Sequence, residues 1–212
     1  MASPPDSSKN LCGDERIKLR LLSKLSYHDT TKWLCTLRSI EYEVSASDSA
    51  YAVRALRTNG LKRWRESREV ALFLEGVEQR FGIETRFASV EEDDFDAVAR
   101  WSYHNTDQFC LLQVKELPPA EVNPAVSIQK VINDLARYCD SEKLTVAIHL
   151  NRTLSDFSFS QLDIPKLNLA GLWVFFSATE DQSRWTLVGD LLGKDPMMSS
   201  FLYPQASQLS PS

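Results

Sequence analysis

The sequence lacks the features that mark membrane, zinc-binding and disulfide-rich proteins. No hydrophobic run approaches the roughly 18 residues of a membrane-spanning helix, and residues 1–10 are too polar for a signal peptide. The four cysteines form no CxxC pair and no cluster with histidine, so neither a zinc site nor a disulfide framework is predicted. We therefore expect a cytoplasmic protein with reduced thiols and no membrane partner.

Histidine is equally scarce. The three histidines, His28, His104 and His149, lie far apart in the chain. His149 falls within an apolar run, where a core histidine with a satisfied hydrogen bond is the expected role. A mechanism built on histidine therefore has little support.

What is present is the composition of an ordinary globular protein. Of the 212 residues, 43% are hydrophobic and 25% are charged, which suits one domain with appendages. We divide the chain into a flexible tail at 1–14, a helical segment at 15–60, an α/β core at 61–195 and a second tail at 196–212. The net charge of −5 does not exclude nucleic-acid binding, because a local basic patch attracts a polyanion whatever the total charge.

The hydrophobic pattern changes its period along the core, which predicts an α/β fold. Apolar residues at helical spacing predict helices over residues 61–81 and 126–139. Alternating or continuous apolar runs predict strands at residues 83–87, 97–103, 109–117, 144–150, 172–176 and 185–188. The first part of this order is helix, three strands, helix and strand, which predicts a mixed sheet with helices against it.

Two short motifs lie on neighbouring predicted strands. Asp96 directly precedes the strand at 97–103, and Gln113-Val114-Lys115 lies within the next strand. Together with the element order, these motifs resemble the PD-(D/E)XK nuclease superfamily, in which an aspartate opens the second core strand and an acidic-X-Lys triplet lies on the third. The resemblance implies a restriction-endonuclease-like mixed β-sheet flanked by helices, with the N-terminal helical segment added to it.

The hairpin between the two strands determines whether these motifs meet. With Asn105-Thr106 as a two-residue turn, Asp96 would lie opposite Lys115. Residues two apart on a strand share a face, so Gln113 would lie on the same side of the sheet. The pairing predicts that all three side chains converge.

Their chemistry suits a divalent cation. The carboxylate of Asp96, the amide oxygen of Gln113 and the backbone carbonyl of Val114 are oxygen ligands of the kind that Mg²⁺ or Mn²⁺ takes. Lys115 would position the attacking water or stabilise the developing charge. Gln113 stands where the family usually has an acid, so we expect weaker metal binding and heavier dependence on Asp96.

The first core helix offers a further acid. Glu66 falls within the apolar stripe of the helix and Glu69 lies at its edge, and the family often has a glutamate here. We favour Glu69 as a catalytic residue because it directly precedes the hydrophobic run, and Glu66 stays open.

Polar and basic residues of the two predicted helices are candidates for binding nucleic acid. Arg63, Arg65 and Arg68 could hold phosphates, although an ordinary solvated helix face explains them equally well. Gln129 in the second helix is a candidate contact to the site or to the substrate.

Two functional hypotheses follow. The first is a nuclease that uses Mg²⁺ or Mn²⁺ to hydrolyse phosphodiester bonds, with DNA as the expected partner. The second is a nuclease-fold module without catalysis that binds nucleic acid or a protein, with Gln113 as its signature. A homodimer is also considered, because two-fold dimers are common where two strands must be cut. The choice between DNA and RNA and between endo and exo action stays open.

Overall fold

The fold is an α/β arrangement built on one mixed sheet. The computed structural model describes residues 13–45, 62–90, 95–138, 141–152 and 158–205. Its α-helices are α1 (Gly13–Leu22), α2 (Thr30–Ser45), α3 (Lys62–Phe81) and α4 (Ile128–Asp134). Short 3-10 turns cover Leu135–Arg137 and Phe159–Gln161.

Eight strands form the sheet. They are β1 (His28–Asp29), β2 (Thr85–Ser89), β3 (Ala97–Tyr103), β4 (Thr106–Leu117), β5 (Ser141–Leu150), β6 (Leu169–Ser177), β7 (Arg184–Gly189) and β8 (Met197–Leu202). Their order across the sheet is the order of the chain. The pairs β4–β5 and β5–β6 are parallel and the remaining pairs are antiparallel.

Local signals explain where the two central helices begin and end. Gly82 follows α3 with a φ of 65°, a conformation that glycine adopts without steric cost, as the sequence predicts. Ser127 caps α4, and its hydroxyl accepts the N–H of Lys130 at 3.1 Å.

None of the described helices combines the length and the apolar composition that crossing a membrane requires.

Each face of the sheet has its own hydrophobic core. Helix α3 packs on one face against Leu112 and Val114 of β4 and against neighbouring strands, and α2 packs on α3. Helix α4 packs on the other face against Val146 and Ile148 of β5. Because side chains alternate along a strand, β4 and β5 present successive residues to different helices. The polar residues of β4 and β5 likewise face either α3 or α4 according to their position along the strand.

The predicted register of the β3–β4 hairpin is wrong by two residues. The turn is His104-Asn105, with φ angles of 48° and 60°, and Tyr103 pairs with Thr106. The sequence analysis placed the turn one residue later because Asn is a familiar turn residue with positive φ and His is not. A shift of two residues leaves every side chain on the same face, so the candidate residues still share a side of the sheet.

The C-terminal region also differs from expectation. The chain after Pro196 was predicted to be a loosely ordered tail, but Met197–Leu202 forms the strand β8, which pairs with β7. Phe201 of β8 is 3% exposed and packs in the α3-side core. Serines and methionines in this segment hide the alternation that normally reveals a strand. Residues 46–61, which include the end of the predicted helical segment at 15–60, lie outside the described residues.

The hairpin register gives a prediction with opposite signs at two positions. His104→Gly should raise the free energy of unfolding by up to about 1 kcal/mol, because glycine relieves a left-handed backbone. Thr106→Gly should lower it by about 0.5 to 1 kcal/mol, because Thr106 lies in a strand. Chemical denaturation of both variants tests this, and the reverse pair of signs would support the Asn105-Thr106 turn.

Candidate functional site

Asp96 lies where β3 separates from β4. Its backbone N–H donates to the carbonyl of Leu112 at 2.8 Å, beside the registered pair of Ala97 with Leu112. Beyond this pair, its carboxylate Oδ2 accepts the backbone N–H of Val114 at 2.7 Å. The side chain therefore takes the place of a strand carbonyl and satisfies an N–H that the ladder would otherwise leave open.

Gln113 holds this carboxylate from the α4 side of the sheet. Its Nε2 donates to Oδ2 of Asp96, and its Oε1 accepts the hydroxyl of Tyr138 at 3.4 Å. Gln113 is 5% exposed. The amide is thus fixed between an acid and a phenol hydroxyl, which is consistent with the rule that buried polar groups are hydrogen-bonded.

Lys115 follows two residues later on the same side of the sheet. Its Nζ lies 5.8 Å from the centroid of the Tyr138 ring, within the range of a cation–π contact. Its charge also acts on the carboxylate of Asp96. Tyr138 therefore contacts both polar residues of the triplet, although the sequence pattern gave no sign of this role.

The electrostatics of Asp96 are set mainly by burial. Removal from water raises the pKa of its carboxyl, and the nearby carboxylate of Glu69 adds to this effect. The N–H of Val114, the ammonium of Lys115 and the amide of Gln113 act in the opposite direction. Burial prevails, so the site favours a proton or another positive charge on Asp96.

The two candidate glutamates of α3 have different surroundings. Glu66 faces solvent with its side chain 38% exposed, and its Oε1 lies 3.4 Å from Nζ of Lys62. Glu69 is 5% exposed and points toward the sheet. The favoured choice, Glu69, is therefore the inward acid of the helix.

Glu69 reaches a second set of polar residues on the α3 side of the sheet. Its Oε1 lies 3.3 Å from Nδ1 of His149, and His149 pairs with Glu116 across the parallel strands β5 and β4. One ligand atom from each of the three side chains lies within 4.8 Å of the others. The sequence analysis assigned no site role to Glu116 or His149. The signal for His149 was a polar residue inside an apolar strand.

The three arginines expected to bind nucleic acid have different environments. Arg63 is exposed and Arg65 is half-buried. Arg68 is 8% exposed, and its guanidinium pairs with Glu41 and donates to Oε1 of Gln182 at 2.6 Å. Arg68 therefore joins α3 to α2 and to the β6–β7 connection, and its charge is used inside the protein.

Gln129 also makes contacts within the fold. Its Nε2 donates to the carbonyl of Asp163 at 2.7 Å and to Oδ1 of Asn133 at 2.9 Å. Its Oε1 accepts the N–H of Asp163 at 3.0 Å. The side chain therefore fixes the segment before β6 to helix α4.

The structure thus brings Asp96, Gln113, Val114 and Lys115 together at one end of β4, with Glu69 close to Asp96. Comparisons with protein-family models, with curated proteins and with solved structures find no match to this chain. The geometry and chemistry of these residues are therefore the basis for inferring a function.

The raised pKa of Asp96 gives a prediction about stability and pH. The folded state holds a proton on this carboxyl more tightly than the unfolded state does, so stability from protonation is lost as pH rises above about 4. Asp96→Asn keeps the shape, and its amide can still accept the N–H of Val114. The variant should therefore gain stability relative to the wild type as pH rises, measured by denaturation from pH 4 to 8.

A difference between variant and wild type that is constant over this pH range would contradict the assigned environment of Asp96. The variant should also show an unchanged far-ultraviolet circular dichroism spectrum.

Proposed function

We propose that the chain is a divalent-metal-dependent nuclease with a restriction-endonuclease-like core. The observation that carries the proposal is the meeting of the Asp96 carboxylate with Gln113 and Val114 where β3 begins, with Lys115 two residues after Gln113. The surrounding order of α3, three antiparallel strands, α4 and a parallel strand is consistent with this core.

The donor set suits a hard divalent cation. Asp96, Gln113 and Val114 offer carboxylate, amide and carbonyl oxygens, which Mg²⁺ and Mn²⁺ both accept. Gln113 points its Nε2 at Asp96, so ligation requires a half-turn of its amide. The hydroxyl of Tyr138 permits this, because it can donate to an amide oxygen or accept from an amide nitrogen.

Each residue of the site has a distinct part in the proposed reaction. A bound cation would supply an activated water and neutralise charge on the phosphate. Asp96 and Gln113 would hold that cation, and Lys115 would stabilise the negative charge that develops on the phosphate oxygens. Tyr138 would keep the ammonium and the amide in position through its ring and hydroxyl. Glu69 would add negative charge behind Asp96.

A nucleic-acid substrate is supported by the start of α3. Arg63 and Trp64 are exposed, and Lys62 precedes them. Arg63 lies six residues before Glu69, which corresponds to about 9 Å along the helix axis. A phosphate backbone that reaches the Asp96 end of the sheet could therefore also contact these side chains. DNA remains the proposed substrate.

A second candidate function has its own supporting observation. Gln113 donates a hydrogen bond to the carboxylate of Asp96. The position where the nuclease family usually has an acid therefore satisfies Asp96 without a metal. This arrangement suits a nuclease-fold module that binds nucleic acid and does not cut it.

Substitution of Lys115 separates the two functions. Lys115→Ala should reduce single-turnover DNA cleavage with Mg²⁺ or Mn²⁺ on the order of 10²-fold, because the ammonium acts on charge that develops in the transition state. Lys130→Ala is the matched control, since Lys130 is an exposed lysine of the adjacent helix α4. Binding should be measured on the same proteins over a range of salt concentrations.

The outcomes differ clearly. Equal cleavage by Lys115→Ala and wild type would remove Lys115 from the mechanism. Salt-dependent DNA binding without cleavage under any divalent metal would favour the non-catalytic module. Asp96→Asn should abolish cleavage while it retains or gains stability, so loss of activity through misfolding is distinguishable.

A further inference from the structure

A second polar cluster lies on the α3 side of the sheet and has no part in the oxygen-ligand set at Asp96, Gln113 and Val114. It comprises Glu69 of α3, Glu116 of β4 and His149 of β5. Glu116 and His149 are paired residues of parallel strands, so their side chains project from the same face. Glu69 closes the set from the helix above. Three separate elements therefore supply one residue each.

Burial makes this cluster unusual. Glu69 and His149 are each 5% exposed, and they lie beside the hydrophobic core of the α3 side. The His149 ring stacks on Phe175 at 5.0 Å with an interplanar angle of 11°, and it also contacts Trp185. A carboxylate in such a place requires a hydrogen bond, an ion pair or a metal. The imidazole is held in one plane before any ligand arrives.

The separation of the two groups is compatible with ligation of one ion. Oε1 of Glu69 and Nδ1 of His149 are 3.3 Å apart, which is at the long end of the range for a hydrogen bond. Two ligands each about 2.1 Å from one tetrahedral cation are separated by about 3.4 Å.

Glu116 has the support that metal ligands commonly have. Its Oε1 accepts Nδ2 of Asn151 at 2.7 Å. Such an outer contact orients a ligating carboxylate. Glu116 is half-buried, so this corner of the cluster also gives an ion a route from solvent.

We propose that Glu69, Glu116 and His149 form a binding site for a divalent first-row transition-metal ion. An imidazole nitrogen with two carboxylates suits Zn²⁺, Co²⁺ or Mn²⁺, whereas Mg²⁺ favours oxygen ligands alone. The site does not rest on the nuclease proposal, although Glu69 lies close to both sets of residues. It would also join helix α3 to the two central parallel strands.

Co²⁺ is the probe that reports both binding and ligand type. Titration of the wild-type protein should give weak visible absorption bands of nitrogen and oxygen ligation, without the intense near-ultraviolet band of a thiolate. Zn²⁺ should raise the melting temperature and displace Co²⁺, and Mg²⁺ at equal concentration should not displace Co²⁺. Calorimetry gives the affinity.

Matched variants locate the ion. Glu116→Gln should weaken Co²⁺ binding by about 10-fold or more while it keeps the contact with Asn151. His149→Gln should do the same and lose the nitrogen-dependent part of the spectrum. Glu142→Gln changes an exposed acid of the same strand β5 and should leave binding unchanged. Glu116→Gln is the safer variant, because its residue is not in the core.

The proposal fails if wild-type protein gives no Co²⁺ spectrum and no Zn²⁺ shift, or if Glu142→Gln weakens binding as much as Glu116→Gln does. A thiolate band would also overturn it, because the ion would then be on cysteine. Asp96→Asn separates this site from the nuclease site: it should retain Co²⁺ binding whether or not it cleaves DNA. The two proposals can therefore fail independently.

Discussion

The candidate site depends on one constraint, the separation of β3 from β4 after the pair Ala97–Leu112. Past that pair, Val114 has an N–H that no β3 carbonyl reaches, and an unpaired buried N–H is costly. The carboxylate of Asp96 satisfies it, which places an acid against the C-terminal part of β4. Gln113 donates a hydrogen bond to that acid, and the charge of Lys115 acts on it. Tyr138 contacts both residues, through a hydrogen bond to Gln113 and a cation–π contact with Lys115.

The alternation of β4 explains why charges occur on both sides of the same strand. Gln113 and Lys115 project toward α4, whereas Val114 and Glu116 project toward α3. Asp96 directly precedes β3, and its pKa is affected by charges on both sides of the sheet, Lys115 on the α4 side and Glu69 on the α3 side. The sheet therefore lies between two sets of polar residues, and the charge of Glu69 in one set affects the pKa of Asp96 in the other.

The sequence predicted those parts of the fold that depend on local pattern. The helix ending at Phe81 and the strand at 97–103 follow from periodicity and from the glycine after the helix. The periodicity placed Glu66 rather than Glu69 within the apolar stripe, so the inward position of Glu69 was favoured only because it precedes the hydrophobic run. The convergence of Asp96 with Gln113 survived a register error because the error was an even number of residues. The cluster of Glu116 with His149 could not be predicted, since it depends on the register of two parallel strands joined through α4, which no turn residue encodes.

In the proposed cation site, the presence of Gln113 rather than an acid determines which residue must supply negative charge. A neutral amide contributes an oxygen but no charge, so Asp96 alone carries the charge among the three oxygen ligands. Burial raises the pKa of that carboxyl and Lys115 partly opposes the effect. Glu69 acts in the direction of burial, so it raises the affinity of this end of the sheet for positive charge of any kind, whether proton or metal. The proposed site should therefore hold a metal weakly and lose it readily to protons, and its pH dependence follows from the raised pKa of Asp96 rather than from the triplet.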